Sequence, residues 1–302
     1  MDAATNGPPD RILLATDLSP RCDRALDRAA ELAAGWGAAL VVLHVLADNA
    51  RDVSDPAAPL PSWRRPPDAQ ALARKRLLAD LADLGPVGET ATVLVAEGDP
   101  AEAIPRAADA EGCGLIVIGT GSDGLLGRLT LGRTVDRLLR RSRQPLLVVK
   151  GRPRGPYRRI VVATDLSESS RRALETAAAF FPDRAPAVFH AFDAPVAGLL
   201  SDPAAYRREH RVLVTQDCEA FLDRAGWPAA GGQPPDLLVE EGAPAALLRD
   251  YASETGVDLV VLGTHGRSAV FELVLGSVAK EIMEEVPCDA LVIREPRAAV
   301  EA

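Results

Sequence analysis

Residues 11–19 read Arg-Ile-Leu-Leu-Ala-Thr-Asp-Leu-Ser, and residues 159–167 read Arg-Ile-Val-Val-Ala-Thr-Asp-Leu-Ser. A second pair of stretches follows in the same order, Gly-Leu-Ile-Val-Ile-Gly-Thr at 114–120 and Val-Asp-Leu-Val-Val-Leu-Gly-Thr at 257–264. Each half then closes on an apolar segment beside a proline, at 144–150 and 287–294. Self-similarity with so long a period indicates a duplicated domain and not a solenoid of short repeats.

The length of 302 residues fits two domains of ordinary size, each able to bury its own core. We predict one domain over residues 11–150 and a second over 158–296. The stretch 151–157 between them begins Gly-Arg-Pro-Arg-Gly-Pro and is predicted to be a short linker stiffened by its prolines. The terminal segments 1–10 and 297–302 are predicted to be tails, the first of them disordered.

Short apolar runs that end in polar turns are typical of buried parallel strands. In each half, five such runs alternate with helical patterns. This order predicts an α/β fold, with two tandem open parallel five-stranded sheets covered by helices on both faces and joined by right-handed crossovers. At the first turn of each half, Ser19 with Pro20 and Ser167 are predicted to start the helix, because serine is a favoured N-cap.

Charge and composition exclude several classes of partner. The formal net charge is −9, which argues against a nucleic acid or an anionic membrane as a partner held by bulk electrostatics. The four cysteines are scattered, so they predict neither a disulfide framework nor a metal site. No apolar run has transmembrane length, and we expect a soluble, cytoplasmic protein.

Two signals fall where ligands bind in open parallel sheets, beyond the carboxyl ends of the strands. One is the aspartate after the first strand of each half, Asp17 and Asp165. The other is a glycine-rich loop in the second half, in which Gly263 and Gly266 are followed by Gly276 at the start of the last helix. Glycines let backbone amides approach a ligand, and a helix N-terminus attracts anions, so this loop predicts a phosphate site.

A simpler interpretation stands beside this one. Aspartate is favoured in turns, and the glycines after a strand are often turn glycines without a ligand. His44 and His190 occupy matching positions on the second strand of each half, among apolar neighbours. We interpret them as core or strand-end histidines rather than ligands.

The glycine pattern, with Gly-Ser nine residues after Gly-x-x-Gly, resembles the nucleotide-binding signature of the universal stress protein (UspA) family. The Ala-Thr-Asp motif resembles the family's first strand, and the resemblance covers nearly the whole chain as two copies. It implies a Rossmann-like sheet of strand order 3-2-1-4-5, adenine contacts near the ends of the first two strands, and pairing of the two domains through their last strands. It also implies ATP as the ligand, alone or with Mg²⁺, and a role in the stress response.

Carried over residue by residue, the resemblance assigns these positions of the second domain to the nucleotide: Ala163, Asp165 and Ala191 to adenine and ribose, Gly263, Gly266, Gly276 and Ser277 to the phosphates. Arg267 would add a charge-assisted contact. The equivalents in the first domain are Ala15, Asp17, Val45, Gly119 and Gly132.

The first domain departs from the pattern at two positions. Ser122 replaces the second loop glycine, and Arg133 replaces the serine after Gly132. A Cβ at position 122 restricts φ and blocks close approach of a ligand. We therefore predict that the second site is the better preserved and that the first is altered or empty.

Other nucleotide-binding and catalytic motifs either stand in the wrong part of the fold or do not occur in the sequence. Residues 119–124 match Gly-x-Gly-x-x-Gly but follow the fourth strand instead of the first, so NAD binding is rejected. The sequence contains no P-loop, no nucleophile elbow and no zinc-protease motif. We therefore predict an ATP-binding protein with little or no catalysis, slow hydrolysis remaining open. The alternative is a nucleotide-free scaffold or dimerisation module of the same fold. A protein partner is expected but not identified, and a homodimer of the internal pseudo-dimer remains open.

Overall fold

The computed structural model describes residues 7–20, 22–46, 68–120, 131–194, 201–227, 235–264 and 276–294. Within the segment 1–10 that the sequence predicts to be a tail, Pro9 is buried and lies beside Gly114. Among the described residues, no helix combines the length and the apolar character needed to cross a bilayer.

The described residues of the first half form five strands: β1 Arg11–Thr16, β2 Ala39–Leu46, β3 Thr92–Glu97, β4 Leu115–Gly119 and β5 Leu146–Val149. Its helices are α1 Asp23–Trp36, α2 Ala69–Ala82, α3 Pro86–Glu89, α4 Pro100–Ala110 and α5 Arg133–Arg141. Asp68 and Asp99 cap α2 and α4, since each side chain accepts a hydrogen bond from an amide of the first turn.

The second half repeats this order, with strands β6 Ile160–Ala163, β7 Ala187–Phe192, β8 Leu237–Glu241, β9 Leu259–Gly263 and β10 Asp289–Ile293. Its helices are α6 Glu168–Phe180, α7 Pro203–Arg224, α8 Pro244–Thr255 and α9 Ser277–Glu285. The predicted α/β fold of two tandem parallel sheets is confirmed.

The two sheets join into one of ten strands, in the order β3-β2-β1-β4-β5-β10-β9-β6-β7-β8. Each half therefore has the strand order 3-2-1-4-5 that the family resemblance implies. Strands are parallel within each half, and β5 pairs antiparallel with β10 at the centre. The two halves thus form an internal pseudo-dimer through their last strands.

Helices bury both faces of this sheet. One apolar cluster lies against α1, α2, α6 and α7 and includes Leu14, Val162 and Phe180. The other lies against α4, α5, α8 and α9 and includes Leu13 and Val161. Neighbouring strand residues point to opposite clusters, which explains why the strands are apolar at every position.

A buried carboxylate ties the two halves to the linker. Asp289, at the start of β10, accepts hydrogen bonds from the amides of Lys150 and Gly151 at 2.8 and 3.2 Å and from the Tyr157 hydroxyl at 2.6 Å. The guanidinium of Arg28 on α1 lies 3.4 Å from the same carboxylate and stacks over the Tyr157 ring. These contacts join the two halves to each other and to the linker, so they fix the relative position of the halves.

Lys150, which follows β5, reaches into the second half. Its side-chain nitrogen donates to the carbonyls of Met283 and Val286, at the end of α9, at 2.5 and 2.7 Å. Burial lowers the pKa of Lys150 to about 8, although the charges of Cys288, Asp289 and Glu284 act in the opposite direction. The folded state therefore binds this proton less tightly than the unfolded chain does.

This depressed pKa predicts a pH dependence of stability. Because the pKa is about 8 in the folded state and 10.5 in a freely solvated lysine, the unfolded chain holds more protons between these values, and stability rises with pH there. Relative to Lys150→Met, the wild type should gain about 2 kcal/mol of unfolding free energy from about pH 7 to about pH 9.5. Urea unfolding of both proteins at both pH values measures this difference. A constant difference would contradict the buried ionisable amine.

Candidate functional site

The turn after β6 has a conformation that a leucine rarely adopts. Leu166 has φ of +63°, in the left-handed region. The amide of Leu166 donates to the Thr164 hydroxyl at 2.9 Å, and the amide of Ser167 donates to the Asp165 carboxylate at 3.1 Å. These side-chain bonds hold the strained turn, and the Ser167 side chain then caps α6 by accepting from the Ser170 amide. The predicted helix start at Ser167 is confirmed.

The turn after β1 contains a left-handed leucine as well, but the helix after this turn begins differently. Leu18 has φ of +60°, and its amide donates to the Thr16 hydroxyl at 3.0 Å. Ser19, however, does not cap α1, which begins at Asp23 with Cys22 at the N-cap. The prediction that Ser19 and Pro20 start this helix is wrong. The Ser19 carbonyl accepts from the Cys22 amide at 2.9 Å, so an extra turn precedes the helix.

Asp17 is bound more tightly than turn formation alone requires. Its carboxylate accepts the Ser19 amide at 2.8 Å and the Cys22 thiol at 3.1 Å. Partial burial raises the pKa of Asp17, but the hydrogen bonds from Ser19 and Cys22 outweigh it and leave that pKa below the usual value. Burial raises the pKa of the Cys22 thiol. Asp17 is thus a carboxylate, and Cys22 a neutral donor to it, at neutral pH.

The paired histidines anchor these turns. His44 Nδ1 lies 2.9 Å from the Thr16 carbonyl, and His190 Nδ1 lies 2.8 Å from the Thr164 carbonyl. Each histidine thereby joins the end of the second strand to the end of the first in its half. The interpretation of His44 and His190 as strand-end residues is confirmed.

Gly263, at the end of β9, packs directly against the N-terminal turn of α6. A Cβ at this position would lie 2.4 Å from the Ser169 Oγ and 2.8 and 2.9 Å from the Ser169 carbonyl carbon and oxygen. Only glycine therefore permits this approach of helix to strand. The structure gives Gly263 a packing role, which differs in kind from the phosphate contact expected of it.

The two described ends of the glycine-rich loop meet. The Gly276 amide donates to the Thr264 carbonyl at 2.9 Å, and the Thr264 amide donates to the Ile293 carbonyl at 3.0 Å. The first intrahelical bond of α9 runs from the Lys280 amide to the Gly276 carbonyl. The amides of residues 277–279 therefore precede the helix ladder and point from its N-terminus, as anion-binding amides do.

The predicted residues of the second half share one edge of the sheet. Ala163 pairs with Leu262 and with Phe189, which brings the ends of β6, β7 and β9 side by side. Asp165 and Ala191 follow on this edge and are half-buried. Gly276 is half-buried and Ser277 exposed at the start of α9. Gly266 and Arg267 lie outside the described residues.

The first half places its equivalents on the corresponding edge. Ala15, Val45 and Gly119 lie at the ends of β1, β2 and β4. Gly132 caps α5 with nearly the same backbone angles as Gly276 in α9. Arg133 is exposed at the first position of that helix, and Ser122 lies outside the described residues.

The described part of this edge presents groups that can donate or accept hydrogen bonds. It offers backbone amides, hydroxyls and one carboxylate for each half. Within the described ranges, no three side chains of histidine, cysteine, aspartate or glutamate cluster as a metal site.

Sequence reasoning missed four buried hydroxyl side chains beneath the second edge: Thr164, Ser169, Ser170 and Thr264. The Thr164 hydroxyl donates to the Ser170 Oγ at 2.9 Å, and Ser170 donates to the Ser167 carbonyl. The signal was present in the sequence, since Ser169 and Ser170 replace Arg21 and Cys22 of the first copy. The hydroxyls of Ser169 and Ser170 distinguish the second site from the first, whereas Thr164 has its counterpart in Thr16.

Comparison with known proteins identifies the family. The model of the universal stress protein family matches twice, over residues 9–150 and 156–294. A universal stress protein from Thermus aquaticus is 33% identical over 145 residues, which are 46% of this chain and 99% of that protein. A Staphylococcus haemolyticus protein named for the same family is 43% identical over 60 residues, 20% of this chain, and the match spans 36% of that protein's length.

Solved structures share the fold over both halves. A protein of unknown function from Pseudomonas aeruginosa PAO1 has a TM-score of 0.67 at 21% identity, covering 97% of this chain and 94% of its own. A universal stress protein from Archaeoglobus fulgidus has a TM-score of 0.65 at 19% identity, covering 95% and 99%. The chain belongs to the universal stress protein family and contains two copies of its domain in tandem.

Proposed function

We propose that the second half binds an adenine nucleotide, ATP, at the carboxyl edge of β6, β7 and β9. The observation that carries this proposal is the start of α9. Its first amides precede the helix ladder, and the carbonyl of Thr264 holds Gly276 in place below them. A triphosphate supplies the anionic oxygens that such amides bind.

The neighbouring turn supports the assignment of the nucleoside end. The strained Leu166 is held by bonds from both sides, and strain of this kind occurs at ligand sites, where the surrounding structure maintains it. Asp165 belongs to this turn, and Ala191 follows His190, whose ring contacts the Thr164 carbonyl; the resemblance assigns both residues to adenine and ribose. Arg267 and Gly266 would complete the contact to phosphate.

The proposed role is binding rather than rapid catalysis. The described groups of the second edge bind one another: the Thr164 hydroxyl donates to Ser170, and the Asp165 carboxylate accepts from the Ser167 amide. We propose that the nucleotide acts as a ligand that shifts the population of loop conformations, which a protein partner then reads in the stress response. The site is proposed to act in the cytoplasm.

A nucleotide-free scaffold remains the second candidate for the first half. Cys22 occupies the position of Ser170, and its thiol donates to the carboxylate that the resemblance assigns to ribose. Arg133 stands at the first position of α5, where the second half has Ser277. These differences favour a first half that serves in pairing.

Thermal unfolding with different ligands tests this proposal. ATP at about one hundred times its dissociation constant should stabilise the chain by about 2.7 kcal/mol and raise the melting temperature by about 5 °C. CTP and inorganic triphosphate at equal concentration should give smaller shifts, since they lack adenine. If ATP gave no shift, or if all three gave the same shift, an adenine-nucleotide site would be refuted.

A further inference from the structure

Helix α9 links the proposed phosphate site to the contact between the two halves. Its first turn presents the amides after Gly276, and its last turn accepts both hydrogen bonds of the Lys150 side chain. The helix has nine residues and is therefore about 14 Å long. One rigid element of the second half is thus held at its far end by a residue of the first.

Lys150 is itself firmly placed. It is 5% exposed, and its amide donates to the buried carboxylate of Asp289. Its carbonyl accepts a hydrogen bond from Arg24 on α1 at 2.9 Å. The side chain therefore cannot follow α9 if the helix moves, and any displacement of the last turn breaks its bonds to the Met283 and Val286 carbonyls.

A reciprocal contact joins the second half to α5. Arg294 occupies in the second half the position that Lys150 occupies in the first, and its guanidinium donates to the Ser142 carbonyl at the end of α5. This bond is 3.4 Å long, against 2.5 and 2.7 Å for the bonds of Lys150. Lys150 thus makes two short bonds to α9, the helix that begins at the proposed phosphate site.

We propose that Lys150 is a positioning residue for the nucleotide site of the second half, and that it couples the pairing of the halves to ATP affinity. The inference rests on the proposed function. Because a short helix moves as one body, a restraint on its last turn also fixes the amides of its first turn. By thermodynamic reciprocity, ATP bound at the first turn should tighten the last turn against Lys150.

Three variants of the full chain test the coupling by calorimetric titration with ATP. Lys150→Met keeps the apolar stem and removes the donor, and should weaken ATP binding roughly 3- to 10-fold. Lys280→Met removes an exposed lysine from the same helix, where it contacts Glu284 at 3.9 Å, and should leave the affinity unchanged. Arg294→Met removes the reciprocal contact and should also leave it unchanged.

Hydrogen exchange of the wild type gives a second readout that needs no variant. ATP should increase the protection of the amides at 283–286, far from the proposed phosphates. If Lys150→Met bound ATP as tightly as the wild type, or if ATP left these amides unchanged in a wild type that had bound it, the coupling would be overturned while the proposed function stood. If the wild type did not bind ATP, the proposed function itself would fail, and the coupling with it.

Discussion

Replacing Asp289 by alanine should destabilise the chain by about 3–5 kcal/mol, because breaking a buried charge pair leaves the other groups without their partner. The carboxylate is 3% exposed and accepts three hydrogen bonds, from the amides of Lys150 and Gly151 and from the Tyr157 hydroxyl. Two of these donors, the Lys150 amide and the Tyr157 hydroxyl, are buried and would lose their acceptor where water does not replace it. Chemical unfolding followed by tryptophan fluorescence measures the loss.

A matched control is available on the surface of the second half. Asp250 on α8 pairs with Arg249, but its side chain is 61% exposed, so Asp250→Ala should leave the unfolding midpoint unchanged. The Asp289 variant should also separate the two halves in solution, which small-angle scattering would report as an increased radius of gyration. Unchanged stability in Asp289→Ala would refute the role of this carboxylate in joining the halves.

Replacing Gly263 by alanine should cost about 3 kcal/mol of stability, because the new methyl group collides with the backbone of Ser169. To relieve the collision, α6 must shift away from β9, and the turn that contains Leu166 shifts with it. ATP affinity should therefore fall together with stability. Thermal unfolding and ATP titration of the same preparation measure both effects.

Gly276→Ala is the matched control for this substitution. The nearest atom to a Cβ at position 276 is the Thr264 carbonyl oxygen at 3.4 Å, an ordinary contact, and the φ of Gly276 is −56°. The expected loss is less than about 1 kcal/mol, from the poorer N-cap. Equal losses at positions 263 and 276 would show that the close approach of Ser169 is not what requires glycine.

The fold was predictable because each strand and helix predicted in one copy could be compared with its counterpart in the other. Apolar runs at matching positions predict the strands of both halves, and the order of elements limits the topology. The start of α1 was not predictable from Ser19 and Pro20, because the Ser19–Cys22 turn overrides the capping preference. A favourable N-cap residue in the sequence does not show whether a further turn will form between that residue and the helix.

The junction between the halves was beyond sequence reasoning for a different reason. Asp289 looks like an ordinary polar residue at the start of a strand, yet it binds the amide of a residue 139 positions away. Such a partner becomes apparent only when the pairing of β5 with β10 is known. The position of Asp165 and Gly276 at the carboxyl edge of the sheet follows from the strand pattern, but the packing role of Gly263 depends on how closely α6 approaches β9.

We propose that one nucleotide binds per chain, at the start of α9. Calorimetric titration with ATP measures the number of sites in the wild type and in two variants that place an indole at the start of α5 or of α9. We expect one site per chain, abolished in Gly276→Trp and retained in Gly132→Trp. Binding that survived in Gly276→Trp, or was absent from the wild type, would contradict it.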